Sequence, residues 1–154
     1  MTRDLLVAAA TVLIAAALFV HRPAAEIPAI RADPRRTPGA LNPAVVPATI
    51  RDTICKRGWT KTIRPPTSYT NELKLEQMRA YRRTGGPHAY QEDHLISLEL
   101  GGHPTDRRNL WPEPLPHAYE VDQVENELND RVCSGKLTLA DAQRRESLLK
   151  HTSG

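Results

Sequence analysis

The residues of this chain best equipped for chemistry lie in one short run, EDHLISLELGGHPTDRRNLWPEP, residues 92–114. Asp93 and His94 set a carboxylate beside an imidazole, a hard-cation ligand next to a general base. Adjacent side chains on a regular strand face opposite ways, so these two converge only at a strand end or turn. Fifteen residues on, Asn109 offers a neutral amide oxygen, and Leu110-Trp111-Pro112 can anchor its loop in a core. His117 follows eight residues later. Arg107 and Arg108 are placed to meet phosphate as bidentate donors. Plainer roles compete: a turn-capping Asp93, an Asx-turn Asn109, a Glu99 salt-bridged to an arginine, and a Trp111 buried in the core. Gly101-Gly102 reads as a positive-φ turn.

The order His, Asn, His at these intervals resembles the HNH endonuclease signature, a ββα-metal site in which two short strands and a helix hold one divalent cation. The wording is closer to a family of small exported bacterial HNH-type proteins whose sites read DHLIPLELGG, a short loop, then NLWPE. TIC..GWTKTIRPPTSYTNELKLEQ and ENEL..RVCSGKLTLADAQ resemble the flanking portions of that family, both cysteines included, over roughly residues 47–145. The resemblance implies that Asp93 ligates the metal and His94 deprotonates the attacking water. It gives Asn109 either a ligand role or the task of holding the loop that presents His94, and it gives His117 the place of the third motif residue, a metal ligand. Arg107 and Arg108 would contact substrate phosphate. Mg²⁺ suits such oxygen ligands, whereas an added histidine would favour Zn²⁺, Ni²⁺ or Mn²⁺. His103 falls in the family's variable loop, where exposure is expected. Two positions depart from the pattern: Val121-Asp122 stands where Lys-Asp is common, and Ser97 where proline is usual.

The chemistry has to be placed in a compartment. Residues 5–20, LLVAAATVLIAAALFV, carry no charge and lie behind Arg3. A membrane-spanning helix needs about 20 apolar residues, in a range of about 17 to 25. Residues 1–25 therefore read as a secretory signal peptide, with an uncleaved N-terminal membrane anchor through residues 5–20 as the alternative. Either way the chain is exported, to the periplasm or beyond. In an oxidising compartment Cys55 and Cys133, the two cysteines of the chain, read as a disulfide rather than as unpaired thiols. Residues 31–65 hold eight Lys or Arg against two Asp, and residues 117–130 hold five acids and no Lys or Arg. Such polarity suits either a phosphate-facing surface or two solvated surfaces that attract each other.

The elements that must position the site follow from periodicity and punctuation. Residues 26–47 are Pro- and Ala-rich and read as a linker, with the nuclease-like domain over residues 48–150. Residues 50–66 read as extended or short-strand structure pinned by Cys55. A helix is expected after Ser68 or Thr70, ending at Thr84-Gly85-Gly86-Pro87, and then a brief strand at HAYQED. From His117, Val121, Val124, Leu128 and Val132 recur at helical spacing up to Gly135, and Thr138 caps a last helix. The class expected is α+β, a helix-rich small domain around a ββα-metal motif with one disulfide. The activity expected is metal-dependent hydrolysis of nucleic-acid phosphodiesters, DNA before RNA, with low sequence specificity and no small-molecule cofactor. The alternatives are a catalytically inactive nucleic-acid- or metal-binding envelope domain, and a purely structural one.

Overall fold

Tyr90–His94 (β1) and Leu110–Pro114 (β2) pair antiparallel, in a register running from Tyr90 opposite Pro114 to His94 opposite Leu110. Two strands alone are marginal in water. Here Thr67–Ala80 (α2) and Leu115–Cys133 (α3) pack against both of them, and Leu139–Thr152 (α4) packs on α3. Trp59–Ile63 (α1) is a single short turn before α2. The computed structural model describes residues 31–152, so the signal or anchor expected in residues 1–25 lies outside the described residues. The architecture is α+β and helix-rich, with a two-stranded sheet and one disulfide.

The connection between the strands, residues 95–109, folds back through two 3₁₀ turns, Leu98–Leu100 and Arg107–Asn109. Gly101 adopts φ 81°, and a Cβ on Gly102 would lie 1.7 Å from the Ile96 carbonyl oxygen. No other residue allows that approach. Leu95, Leu98, Leu100, Leu110 and Trp111 are buried and hold the loop down. Thr138 caps α4 by accepting the Asp141 N–H at 3.1 Å and donating its hydroxyl to that carboxylate at 2.6 Å.

Several elements differ from the sequence expectation. The segment expected as a linker belongs to the domain from residue 31 on. Ala32 and Thr37 are fully buried and Val45 nearly so. Backbone bonds join Ala32 to Lys150, Gly39 to Arg108, and Asn42 to Gly101. Proline content reads as a linker only while the intervening residues find no partners, and here they do. Residues 50–66 form no strand; successive turns such as Asp52 N to Thr49 O and Lys56 N to Thr53 O lead into α1, with no sheet edge alongside to pair with. α2 is entered from Pro66, ahead of both candidate caps Ser68 and Thr70, and ends at Ala80, before Arg82 turns to φ 52°. On α3 the inward stripe is Ala118, Val121, Glu125, Leu128 and Val132, while Val124 is exposed.

Cys55 and Cys133 are bonded, tying residues 50–58 to the end of α3 beside a core of Val45, Ile54, Leu100, Leu128 and Val132. A disulfide of this kind contributes about 2 to 5 kcal/mol when removed from a small domain. Adding a reductant should therefore lower the unfolding free energy obtained from urea denaturation by an amount in that range, with a matching fall in the midpoint. An unchanged midpoint after confirmed reduction would contradict it.

Candidate active site

His94 ends β1, and at this strand end its ring and the Asp93 carboxylate share one cleft of about 260 Å³. Glu99, Asp122, Glu125 and Arg64 line the same cleft. His94 is 5% exposed, and its Nε2 lies 3.0 Å from the Pro104 carbonyl oxygen. A carbonyl only accepts, so Nε2 carries the proton and Nδ1 retains its lone pair. Burial pushes the imidazole below its ordinary value, and the opposing Asp93 charge and Pro104 carbonyl do not cancel that effect. The ring is neutral at pH 7, the state a general base requires.

The carbonyl that orients His94 is itself fixed. His103 Nδ1 accepts the backbone N–H groups of Thr105 at 3.3 Å and Asp106 at 3.0 Å, closing the turn that carries Pro104. Asn109 ties this turn to the other arm of the loop. Its Nδ2 donates to the carbonyls of His103 at 3.1 Å and Ile96 at 2.9 Å, and its Oδ1 accepts from Ile96 N at 3.0 Å. The amide is fully occupied and does not line the cleft, which is the geometry of a loop holder.

Beneath the cleft lies a charge cluster centred on a residue outside the motif, Lys150. Lys150 is 0% exposed, and its ammonium donates to Asp93 Oδ2 at 3.0 Å, the His94 carbonyl at 2.5 Å and Glu125 Oε1 at 2.6 Å. Glu146 lies 3.6 Å and Glu113 3.9 Å away. Four ionised carboxylates around one buried ammonium would leave a large uncompensated charge, so protons are redistributed. Burial would raise the Asp93 carboxyl, but the Lys150 ammonium and a hydrogen bond from Glu113 hold it well below the usual range. Burial and the Asp93 charge push Glu113 up to about 10. Burial, only partly offset by Lys150, raises Glu125 strongly and takes Glu146 to about 7. Lys150 stays protonated because its carboxylate neighbours outweigh its desolvation.

The remaining expected residues lie elsewhere. Arg107 is paired with Glu76 at 2.6 Å and Arg108 with Asp106 at 2.6 Å, both on the exposed surface. His117 is bonded through Nδ1 to Glu113 and stands edge-on to Trp111 at 6.5 Å; it is not among the groups lining the cleft. Ser97 donates its backbone N–H to Glu146 at 2.8 Å, a bond that proline could not make. The oxygen donors of the cleft suit a hard divalent cation. Among the described residues, no three His, Cys, Asp or Glu side chains form a ready-made metal cage. Lys150, Glu146 and the Pro104 carbonyl were absent from the sequence reading. Glu146 and Lys150 continue the buried stripe of Leu139 and Ala142 on α4, and charged residues in a core stripe are a legible sign of a buried ionic group. No protein-family model, curated protein or solved structure matches the chain.

Two stability measurements probe this arrangement. Lys150→Met leaves Asp93 buried without its cation and should cost about 3 to 5 kcal/mol in chemical denaturation; a loss under 1 kcal/mol would refute the central role given to Lys150. Glu92 is also buried, has no hydrogen-bond partner for either carboxylate oxygen among the described residues, and is pushed up to about 8 by burial and then by Asp93. Glu92, Glu113 and Glu146 hold protons in the folded state that they lose when unfolded above about pH 4.5. Stability should consequently fall as pH climbs from 5 to 9. Asp93 acts in the opposite sense, its contribution disappearing only in strong acid. Glu92→Gln, which cannot ionise, should flatten the alkaline decline; a Tm that rises toward pH 9 would reverse the assignment.

Proposed function

We propose that this protein is an exported, metal-dependent endonuclease of the HNH type, cleaving nucleic-acid phosphodiesters, DNA before RNA, with little sequence preference. The observation that carries the reading is His94. Its Nε2–H is spent on a backbone carbonyl, its Nδ1 is left basic, and it shares its cleft with an ionised carboxylate. The order of strand, Asn109-clamped loop, strand and helix supports the same reading, as does the run DHLISLELGG…NLWPE. The disulfide is in keeping with an oxidising destination beyond the cytoplasm.

In this reading Asp93 would hold a divalent cation, with Asp122 from α3 lining the same cleft. The bound cation supplies charge stabilisation at the phosphate and at the leaving oxygen. His94 Nδ1 takes the proton of the attacking water while Nε2–H stays on Pro104, which fixes the ring plane through proton transfer. Asn109 keeps that carbonyl in register by bridging His103 and Ile96. Arg107 and Arg108 reach phosphate only by exchanging Glu76 and Asp106 for it.

One observation favours a second reading, a domain that binds nucleic acid without turnover. The Lys150 ammonium already neutralises Asp93, and a cation would have to share that carboxylate. The two readings separate on incubation of the purified protein with supercoiled plasmid and Mg²⁺, Mn²⁺ or Zn²⁺. Nicking is expected with at least one metal, rising with pH to a midpoint below the ordinary histidine value of about 6.5. His94→Ala should lower it at least about 100-fold. No cleavage with any of the three, or cleavage indifferent to His94→Ala, would overturn the nuclease reading; retention of DNA without nicking would favour the second.

A further inference from the structure

Cleavage at His94 requires that a phosphodiester enter a cleft whose walls carry Asp93, Glu99 and Asp122. That surface repels phosphate. Arg107 and Arg108, the arginines nearest in sequence, are committed to Glu76 and Asp106 and are not among the groups lining the cleft. Arg64 is different. It lines the cleft, it is exposed, and among the described residues its guanidinium forms no ion pair and no side-chain hydrogen bond.

The backbone of Arg64 is held on both sides even though its side chain is unpartnered. Its N–H donates to the Thr60 carbonyl at 3.1 Å, ending α1, and its φ of −60° and ψ of 128° lead into Pro65-Pro66. Two consecutive prolines restrict the chain on that side. On the other side, the turns of residues 50–58 are bound to the end of α3 through Cys55–Cys133, with Trp59 packed against the core. The segment thus holds a free guanidinium at the rim of an acidic cleft. Arg64 is near enough to His94, Glu99 and Asp122 for its charge to bear on all three. Exposed Arg57 and Lys61 on the same segment form no ion pair among the described residues and extend its positive character. A planar fork of N–H donors matches two phosphate oxygens at once.

We propose that Arg64 is the substrate-binding residue that receives the nucleic-acid phosphodiester at the mouth of the His94 cleft. This deepens the nuclease reading and rests on it for the identity of the substrate. Arg64 then offsets the acidic walls and brings the phosphate toward His94, a role that the sequence pattern assigned to Arg107 and Arg108.

The test uses a fluorescently labelled 20-base-pair DNA duplex and the intact protein, with binding read by anisotropy across a salt series in Ca²⁺. Arg64→Gln should weaken binding at least about tenfold and reduce the slope of log K against log salt by about one. Arg64→Lys should restore the slope but only part of the affinity, because the point charge returns without the fork. Arg131→Gln, which removes an arginine paired with Glu127 on α3, should leave both close to wild type. In the plasmid assay Arg64→Gln should raise KM more than it lowers kcat. Wild-type affinity and slope in Arg64→Gln, or absence of duplex binding by the wild type, would overturn the proposal. If binding depends on Arg64 but no metal supports cleavage, the nuclease reading fails and the phosphate site stands. If cleavage occurs with KM unmoved by Arg64→Gln, the reverse holds.

Discussion

The Lys150 ammonium is the charge about which the domain is assembled. It is wholly buried, it touches the carboxylate of Asp93 and the carbonyl of His94, and it draws Glu113, Glu125 and Glu146 inward from β2, α3 and α4. Its own backbone carbonyl accepts from Ala32, so the first described turn is fastened at the same place. An ammonium cannot be left alone at that depth, and four carboxyl groups gather around it only because some of them keep their protons. Each group is tolerable only because the others are present. The pair at the end of β1 therefore comes with a fixed charge state, Asp93 ionised and His94 neutral, before any ligand arrives.

A second layer of constraint acts through the backbone. Asn109 spans the loop, His103 closes the turn at its tip, and the Pro104 carbonyl between them sets the tautomer of His94. None of these groups has to touch a substrate to matter. Moving the carbonyl would release the Nε2 proton and free the ring to rotate. His103 is thus a structural partner of the site through a contact that its place in a variable loop did not advertise.

The parts of the structure legible in sequence are those fixed by near neighbours. The Thr138 cap, the Gly101-Gly102 turn, the inward Leu98, Leu100, Leu110 and Trp111, and the meeting of Asp93 and His94 at a strand end depend on residues close in the chain. The cysteine pair was legible for another reason, a count of two in a chain read as exported. What sequence did not disclose acts across distance or through atoms that every residue shares. Lys150 meets Asp93 across 57 positions, and its partner atoms include a main-chain oxygen that no side chain identifies. Residues 31–47 read as linker because proline dominates the composition, whereas their attachment lies in the backbone N–H groups of the other residues and in small buried anchors such as Ala32 and Thr37. Glu125 takes the inward place expected of Val124 because a stripe with one residue shifted still satisfies a helical period, and the Lys150 charge decides which of the two turns inward.

The placement of Lys150 near the end of α4 also governs the order in which the domain can come together. The contacts that complete it are long-range: 57 positions from Asp93 to Lys150, 78 between the cysteines, and 114 from the Thr37 carbonyl to His151. A chain emerging from the ribosome presents both strands and three of the four helices while the cation they require is still unmade. Until α4 arrives, Asp93 and Glu113 have no reason to leave water, and the strand pair has no stable floor. Helix α4 closes the structure, so the site exists only once that helix has joined the strands.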